Sequence, residues 1–294
     1  MSRCIVLSGR EVSDFVYKDL KSRVNDLAKR SIRPGLAAIL VGENPASEIY
    51  IKMKTKRFRN MGMRTKTFRI PIDVKQSQLL KLIEKNNNDP NFHGILIQFP
   101  LPKHIDSNIV INSIHPSKDV DGFHPENVGL LSIGTPRFIP CTPKGIMRML
   151  DYYNINLHGK HVVVLGRSNI VGRPISILTS LKVKGANSTT TICHSGSKNI
   201  DKFTKDADVI IAALGIPNYL KKEMIKQDVI IIDVGINRID DNSEKGYRIV
   251  GDACWDEVTL VSKAVTPVPG GVGPMTIAML VENTIEAAEN FNLY

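Results

Sequence analysis

The chain has few cysteines, and none are arranged for chemistry. Cys4, Cys141, Cys193 and Cys254 stand singly, with no Cys-x-x-Cys pair. That pattern signals neither a disulfide framework nor a zinc site, and it fits a reducing compartment. No apolar run approaches the ~20 residues that span a bilayer. The opening "MSRCIVLSGREV" has only four apolar residues in a row, too few for a signal peptide, so a soluble cytoplasmic protein with no membrane partner is expected. A Gly-x-Ser-x-Gly elbow is missing, which leaves a serine hydrolase without support, and no metal-ligand spacing or internal repeat emerges. Acidic residues are also short: 29 Asp and Glu against 39 Lys and Arg, a formal charge of +10. That excess favours an anionic partner, whether nucleotide, polyanionic small molecule, nucleic acid or acidic membrane, and does not choose among them.

What is present is ordinary globular composition, 42% hydrophobic over 294 residues, long enough for two domains with separate cores. The first half alternates helix and strand signals: a helical stretch after Gly9, "LAAILVG", a helix opened by Asn44 and Pro45, "TKTFRIP", "SQLLKLIEK" and "GILIQFPLP". Asn44 is a good N-cap with Pro45 at the first helical position, which has no N–H to leave unpaired. A Pro/Gly-rich stretch from His115 to Gly145 reads as a cleft-lining hinge. Beyond it, "HVVVLG", "STTTICHS", "ADVIIAALG" and "VIIIDVG" read as parallel strands covered on both faces.

Two motifs carry chemistry on their own residues. "GRSNIVGRP" follows a strand and opens a helix, the position where backbone N–H groups and a helix dipole meet a dinucleotide pyrophosphate, although Ser168 replaces the usual second glycine and an ordinary tight turn is the plain alternative. The next strand ends at "CHS" without the acid that grips a ribose 2′-hydroxyl, while Arg167 and Ser195 suit a 2′-phosphate, so NADP is favoured over NAD. Tyr50 and Lys54 lie one helical turn apart, among Lys52, Lys56, Arg57 and Arg59. Either they belong to a solvated basic face, or Lys54 is held for proton transfer. Gln98 ends a strand at the sheet edge where such folds gather ligands. Asp121 in "KDVDGF" either pairs with the N–H groups of an aminopyrimidinone ring or, with Asp119, caps a turn.

In order along the chain, "YIKMK", "IQFPLP", "KDVDGFHPENVG", "PCTPKG", "GRSNIVGRP", "DVGIN" and "TPVPGGVGPMT" resemble the bifunctional methylenetetrahydrofolate dehydrogenase/cyclohydrolase family of the bacterial FolD type. The resemblance covers nearly the whole chain. It implies an α/β protein of two domains with a cleft between them. Residues 1–140 would form a folate-binding catalytic domain, completed by a C-terminal helix over 275–294 that packs back on it, and residues 141–274 a Rossmann-like NADP domain. The folate-site residues would be Tyr50, Lys54, Gln98 and Asp121, with Ser47 nearby and Ile97 and Phe99 beside Gln98. Pro269, Gly270, Gly271, Gly273 and Thr276 would close over the substrate, and Gly166, Arg167, Ser168, Ser195 and Ile236 would contact the dinucleotide. Two places depart from the family pattern: the segment before Ser195 is longer than usual, and Phe99 stands where relatives have leucine.

The implied activity is oxidation of 5,10-methylenetetrahydrofolate with NADP, followed by hydrolysis of the methenyl product to 10-formyltetrahydrofolate, with no metal. A homodimer through the cofactor domains is implied as well. Because the chain stops at Tyr294, just after its last helix, the two-activity form is expected, without a formate ligase domain. Hydride transfer needs orientation rather than a side-chain base, whereas hydrolysis needs a proton shuttle. Lys54 is assigned to that shuttle, Gln98 to orient it, Tyr50 to wall the pterin and aminobenzoyl region, and Asp121 to anchor the pterin. The basic run around Lys54 would then help a lysine give up its proton. The competing readings are an NAD-dependent monofunctional dehydrogenase and a non-catalytic basic nucleotide-binding protein. Nucleic acid is not expected as a partner.

Overall fold

The computed structural model describes residues 4–242 and 246–291. In chain order the first elements are β1 (Ile5–Val6), α1 (Gly9–Lys29), β2 (Gly35–Val41), α2 (Pro45–Asn60), β3 (Arg64–Ile70), α3 (Gln76–Asn87) and β4 (Gly94–Ile97). Then come α4 (Ser107–Ser113), α5 (Pro125–Ser132), α6 (Cys141–Tyr152), β5 (His161–Leu165), α7 (Gly172–Ser180), β6 (Thr189–Cys193) and α8 (Ile200–Thr204). The chain continues with β7 (Val209–Ala212), β8 (Ile230–Asp233), β9 (Asn237–Asp240), β10 (Tyr247–Val250), α9 (Trp255–Val258), β11 (Ala264–Val265) and α10 (Val272–Glu289). These divide into two units. One holds Val16–Cys141 and Ile277–Tyr294, the other Met1–Phe15 and Thr142–Thr276.

The unit holding Val16–Cys141 is built on a parallel three-stranded sheet in the order β3-β2-β4. Central β2 is buried at all seven positions, as a continuous apolar run covered on both faces must be. Leu79 and Ile83 of α3 pack with Ile39, Ile95 and Ile97 of the strands in one core cluster. Helix α2 begins as its sequence predicts: Asn44 Oδ1 accepts the Ser47 N–H at 3.0 Å, and Pro45 takes the first turn. Its inner stripe is Ile51, Thr55 and Phe58, spaced for one helical face. Burying Ile51 and Phe58 contributes about 2 kcal/mol apiece. The second half of α10 is buried nearly all round, with Met279, Leu280, Val281 and Ile285 at or below 1% exposure, so it is a core helix of this unit.

The other unit carries a six-stranded sheet in the order β1-β11-β8-β7-β5-β6, parallel at every pairing. The chain leaves β5 through α7 to β6 on one side, and then resumes at β7 on the other side of β5. The order therefore reverses at the C-terminal ends of β5 and β7, the crevice where open α/β sheets take their ligands.

Three features differ from the sequence reading. The Pro/Gly-rich stretch is not a bare hinge: Pro116 opens a short 3-10 turn and Pro125 opens α5, because His115 and His124 each cap the N-terminus that the following proline begins. β6 is not covered on both faces; it is an outer strand of the sheet, and Ile192 is 40% exposed. Ile5–Val6 is a strand paired with β11, too short for any periodicity to announce it.

Candidate active site

Within the unit built on β3-β2-β4, α2 and the end of β4 bring Lys54 and Gln98 together. Gln98 extends the ladder one residue beyond β4, its N–H donating to Ile39 O at 2.9 Å. Its side-chain amide donates to Phe99 O at 2.9 Å, which leaves Oε1 to accept from Lys54 Nζ at 3.2 Å. One turn before Lys54, Tyr50 shares its side of the helix and is half-buried. Burial pushes its phenol above the usual range, so it presents a neutral ring. Ser47 is buried at the helix start, Ile97 lies inside the strand, and Phe99 packs against the core cluster.

The other cations of α2 do not surround Lys54. Lys52 is solvated and reaches Glu48 at 3.9 Å, while the Arg57 guanidinium stacks over Tyr17 at 4.2 Å. Lys56 and Arg59 are exposed. At 100° per residue, positions 52, 56 and 59 fall on the far side of the helix from 50 and 54. What neighbours Lys54 is a carboxylate. Burial pushes Asp121 up to about 6 from 3.8, with the Lys54 charge drawing it back down and Asp119 pushing it further up.

The two aspartates have separate jobs. Asp119 is buried and its Oδ2 accepts from the His124 N–H at 2.7 Å and from Asn127 Nδ2 at 2.8 Å, so it fastens the loop. Asp121 receives a long thiol contact from Cys141 at 3.7 Å. Sequence reasoning missed what holds Asp121 in place: Asn283 of α10 donates to Val120 O at 2.8 Å and Ile139 O at 3.0 Å. A lone asparagine in the apolar run "AMLVENTIEAA" was the available signal.

In the other unit, the glycine turn sits at the strand-order reversal. Gly166 has φ +115°, and a Cβ there would lie 2.2 Å from Ala213 O, so the loops after β5 and β7 meet too closely for any side chain. Arg167 and Ser168 are exposed beside it. The Ser168 hydroxyl accepts from the N–H groups of Val171 and Gly172 at 3.2 and 3.3 Å, serving the N-terminus of α7 in place of the missing glycine. Ser195 lies exposed in the turn after β6, and Ile236, between β8 and β9, is 52% exposed.

Two buried acids brace the neighbouring loops and were also missed. Asp233 accepts from the N–H groups of Gly235, Asp252 and Ala253 at 2.8–2.9 Å, and Asp252 accepts from Leu214, Gly215 and Ile216 at 2.6–3.1 Å. Burial holds Asp233 up at about 6. Pro269 is exposed, in a loop where Gly270 has φ +112°, the Gly271 N–H donates to Pro267 O at 2.7 Å and the Arg10 N–H donates to Gly270 O at 3.2 Å. Gly273 has open space where a Cβ would stand, and the Thr276 hydroxyl is 3.0 Å from that of Thr142. Among the described residues no group of three His, Cys, Asp or Glu is placed to hold a metal, and no helix is long and apolar enough to cross a membrane.

Residues 7–121 match the catalytic domain of the tetrahydrofolate dehydrogenase/cyclohydrolase family, and residues 140–292 match its NAD(P)-binding domain. The chain belongs to the tetrahydrofolate dehydrogenase/cyclohydrolase family. Among relatives in this family, the bifunctional protein FolD of Chlorobium chlorochromatii is 50% identical over 292 residues, covering 98% of this chain and 99% of its own. The structure of the bifunctional enzyme FolD of Campylobacter jejuni superposes with a TM-score of 0.93 at 45% identity, covering 98% of this chain and 99% of the other. The dehydrogenase-cyclohydrolase of Trypanosoma brucei, described as complexed with NADP cofactor and inhibitor, gives 0.94 at 34% identity over the full length of both. The family shares the mixed α/β architecture with a Rossmann-like parallel sheet seen here.

Proposed function

We propose that this chain oxidises 5,10-methylenetetrahydrofolate with NADP and hydrolyses the methenyl product to 10-formyltetrahydrofolate. The observation that carries the reading is the Lys54–Gln98 pair at 3.2 Å, near a half-buried Asp121, in a family member matched along nearly its whole length. Asp121 anchors the pterin through its amine and ring N–H groups, and Tyr50 walls the pterin and aminobenzoyl region.

The glycine turn fits a dinucleotide, because the Gly166 backbone is bare at the strand-order reversal and the N-terminus of α7 lies just beyond it. Gly166, Arg167, Ser168, Ser195 and Ile236 would hold NADP; no acid ends β6, and Arg167 and Ser195 are exposed to meet a 2′-phosphate. When bound, NADP accepts the hydride that leaves the one-carbon bridge. The loop of Pro269, Gly270, Gly271 and Gly273, with Thr276, contributes to substrate closure in this reading.

Hydrolysis falls to Lys54. Gln98 Oε1 orients the lysine amine toward the water, Lys54 takes the water's proton as the C–O bond forms, and it returns the proton to the folate nitrogen as the C–N bond breaks. We further place the protein in the cytoplasm, assign residues 1–140 with 275–294 to folate and 141–274 to NADP, and read it as a homodimer through its cofactor unit, for which the half-exposed outer strand β6 is the support.

The test is a spectrophotometric assay with 5,10-methylenetetrahydrofolate and either NADP or NAD. Reduced nicotinamide should form faster with NADP, followed by loss of methenyl absorbance. Absence of both signals would overturn the function, and a faster rate with NAD would overturn the cofactor preference.

A further inference from the structure

The far face of α2 and the outer strand β3 enclose a groove of about 570 Å3 that the folate chemistry does not use. Lys52, Lys56 and Arg59 line it from the helix, and Lys66 and Arg69 from the strand. Among the described residues one carboxylate, Glu48, pairs with this set at one end, accepting from Arg69 at 3.1 and 3.2 Å and lying 3.9 Å from Lys52. Lys66 rests over the Phe68 ring at 4.8 Å, which leaves its charge unneutralised. The side chains of Lys56 and Arg59 take no ion pair or hydrogen bond from the described residues.

A second, independent feature lies in the groove wall. Thr65 Oγ1 is buried without a hydrogen-bond partner, whereas the Thr55 hydroxyl is spent on the carbonyls of Ile51 and Lys52. Unmet hydroxyls are uncommon in buried positions. Like charges gathered along one groove with so little counter-charge make a positive potential that draws an anion. From Lys52 to Arg59 the helix rises about 10 Å, too far for one carboxylate or phosphate to meet every cation.

We propose that the groove between α2 and β3 binds an elongated polyanion carrying several carboxylate or phosphate groups. Two sources share that chemistry: an oligo-γ-glutamyl extension of the folate, which rests on the function proposed above, and a free oligophosphate compound, which does not. Calorimetric titration of the full-length protein with inorganic tripolyphosphate and, separately, with free oligo-γ-glutamate tests both. The variants are Lys56→Glu combined with Arg59→Glu, two exposed positions, and Thr65→Val as a milder change of similar shape.

Wild type should bind at least one probe with an affinity that falls as salt rises, and the charge reversal should weaken it about tenfold or more. Turnover of monoglutamyl substrate should stay unchanged in the same variant. Binding of γ-glutamate alone, with a raised KM for polyglutamyl but not monoglutamyl substrate in the variant, identifies the folate extension; binding of tripolyphosphate alone identifies the free compound. Wild type that binds neither probe, or a charge-reversed protein that binds as tightly as wild type, overturns the proposal. Binding is read without turnover, so a failed assay of folate oxidation leaves this result distinguishable.

Discussion

The charge of Lys54 acts on Asp121. The carboxyl is held near 6 by burial, and the lysine charge, with a smaller part from the Cys141 thiol, draws it back down. If, as proposed, an ionised Asp121 accepts the pterin N–H groups, folate affinity should fall as pH drops through about 6, and Asp121→Asn should remove that dependence while weakening binding about ten- to hundredfold, the value of a charged hydrogen bond. Titration of a folate analogue from about pH 5 to about pH 8 checks both. Lys54→Met should cut methenyl hydrolysis about 10²- to 10⁴-fold, the range for a lost general acid–base group. The same variant should move the pH midpoint of folate binding upward, because the charge that lowers the Asp121 pKa is gone. Unchanged hydrolysis would remove Lys54 from the mechanism, and an unmoved midpoint would uncouple the pair.

Among the elements, the β5–α7 junction is where the proposed reading puts the dinucleotide. Gly166 occupies a positive-φ position, and a methyl group there would stand 2.2 Å from Ala213 O, a backbone atom that cannot swing aside. Gly166→Ala should therefore cost on the order of 1–3 kcal/mol and raise the NADP KM while leaving the KM for the folate substrate near wild type. Thermal unfolding together with the two KM values measures this; an unchanged NADP KM would disconnect the turn from the cofactor. This junction was legible in the sequence because strand, glycine and helix are consecutive. The role of α10 was legible only as packing. Its Asn283 reaches Val120 and Ile139, more than 140 positions away in the chain, and no local pattern encodes that reach.

For the whole molecule, buried titratable groups set an acid response of mixed sign. His93 is pressed down from 6.5 to about 4, first by burial and then by the charges of Lys118 and Arg64, while its Nδ1 accepts the Gly35 N–H at 3.1 Å. Its folded pKa is depressed, so the unfolded chain binds the extra proton first, and the stability this site supplies is present above pH 6.5 and lost as pH falls toward 4. Asp121 and Asp233 run the other way: each is raised from 3.8 to about 6, and the stability tied to their retained protons is lost as pH rises through 6. The difference in unfolding free energy between wild type and His93→Asn isolates the histidine. It should favour wild type increasingly from pH 4 to 6.5, by on the order of 3 kcal/mol, and a flat difference would refute the assignment. The sequence by itself determined the α/β alternation, the Asn44–Pro45 helix start, the glycine turn and the pairing of Tyr50 with Lys54, because each is written in residues only a few positions apart. Tertiary structure alone decided that β1 joins β11, that Lys52, Lys56 and Arg59 of α2 turn away from Lys54 toward β3, and that Asp121 sits half-buried near that amine on a loop held by Asn283. Burial and charge at a site are set by segments distant in the chain, and only the packed fold brings those segments into contact.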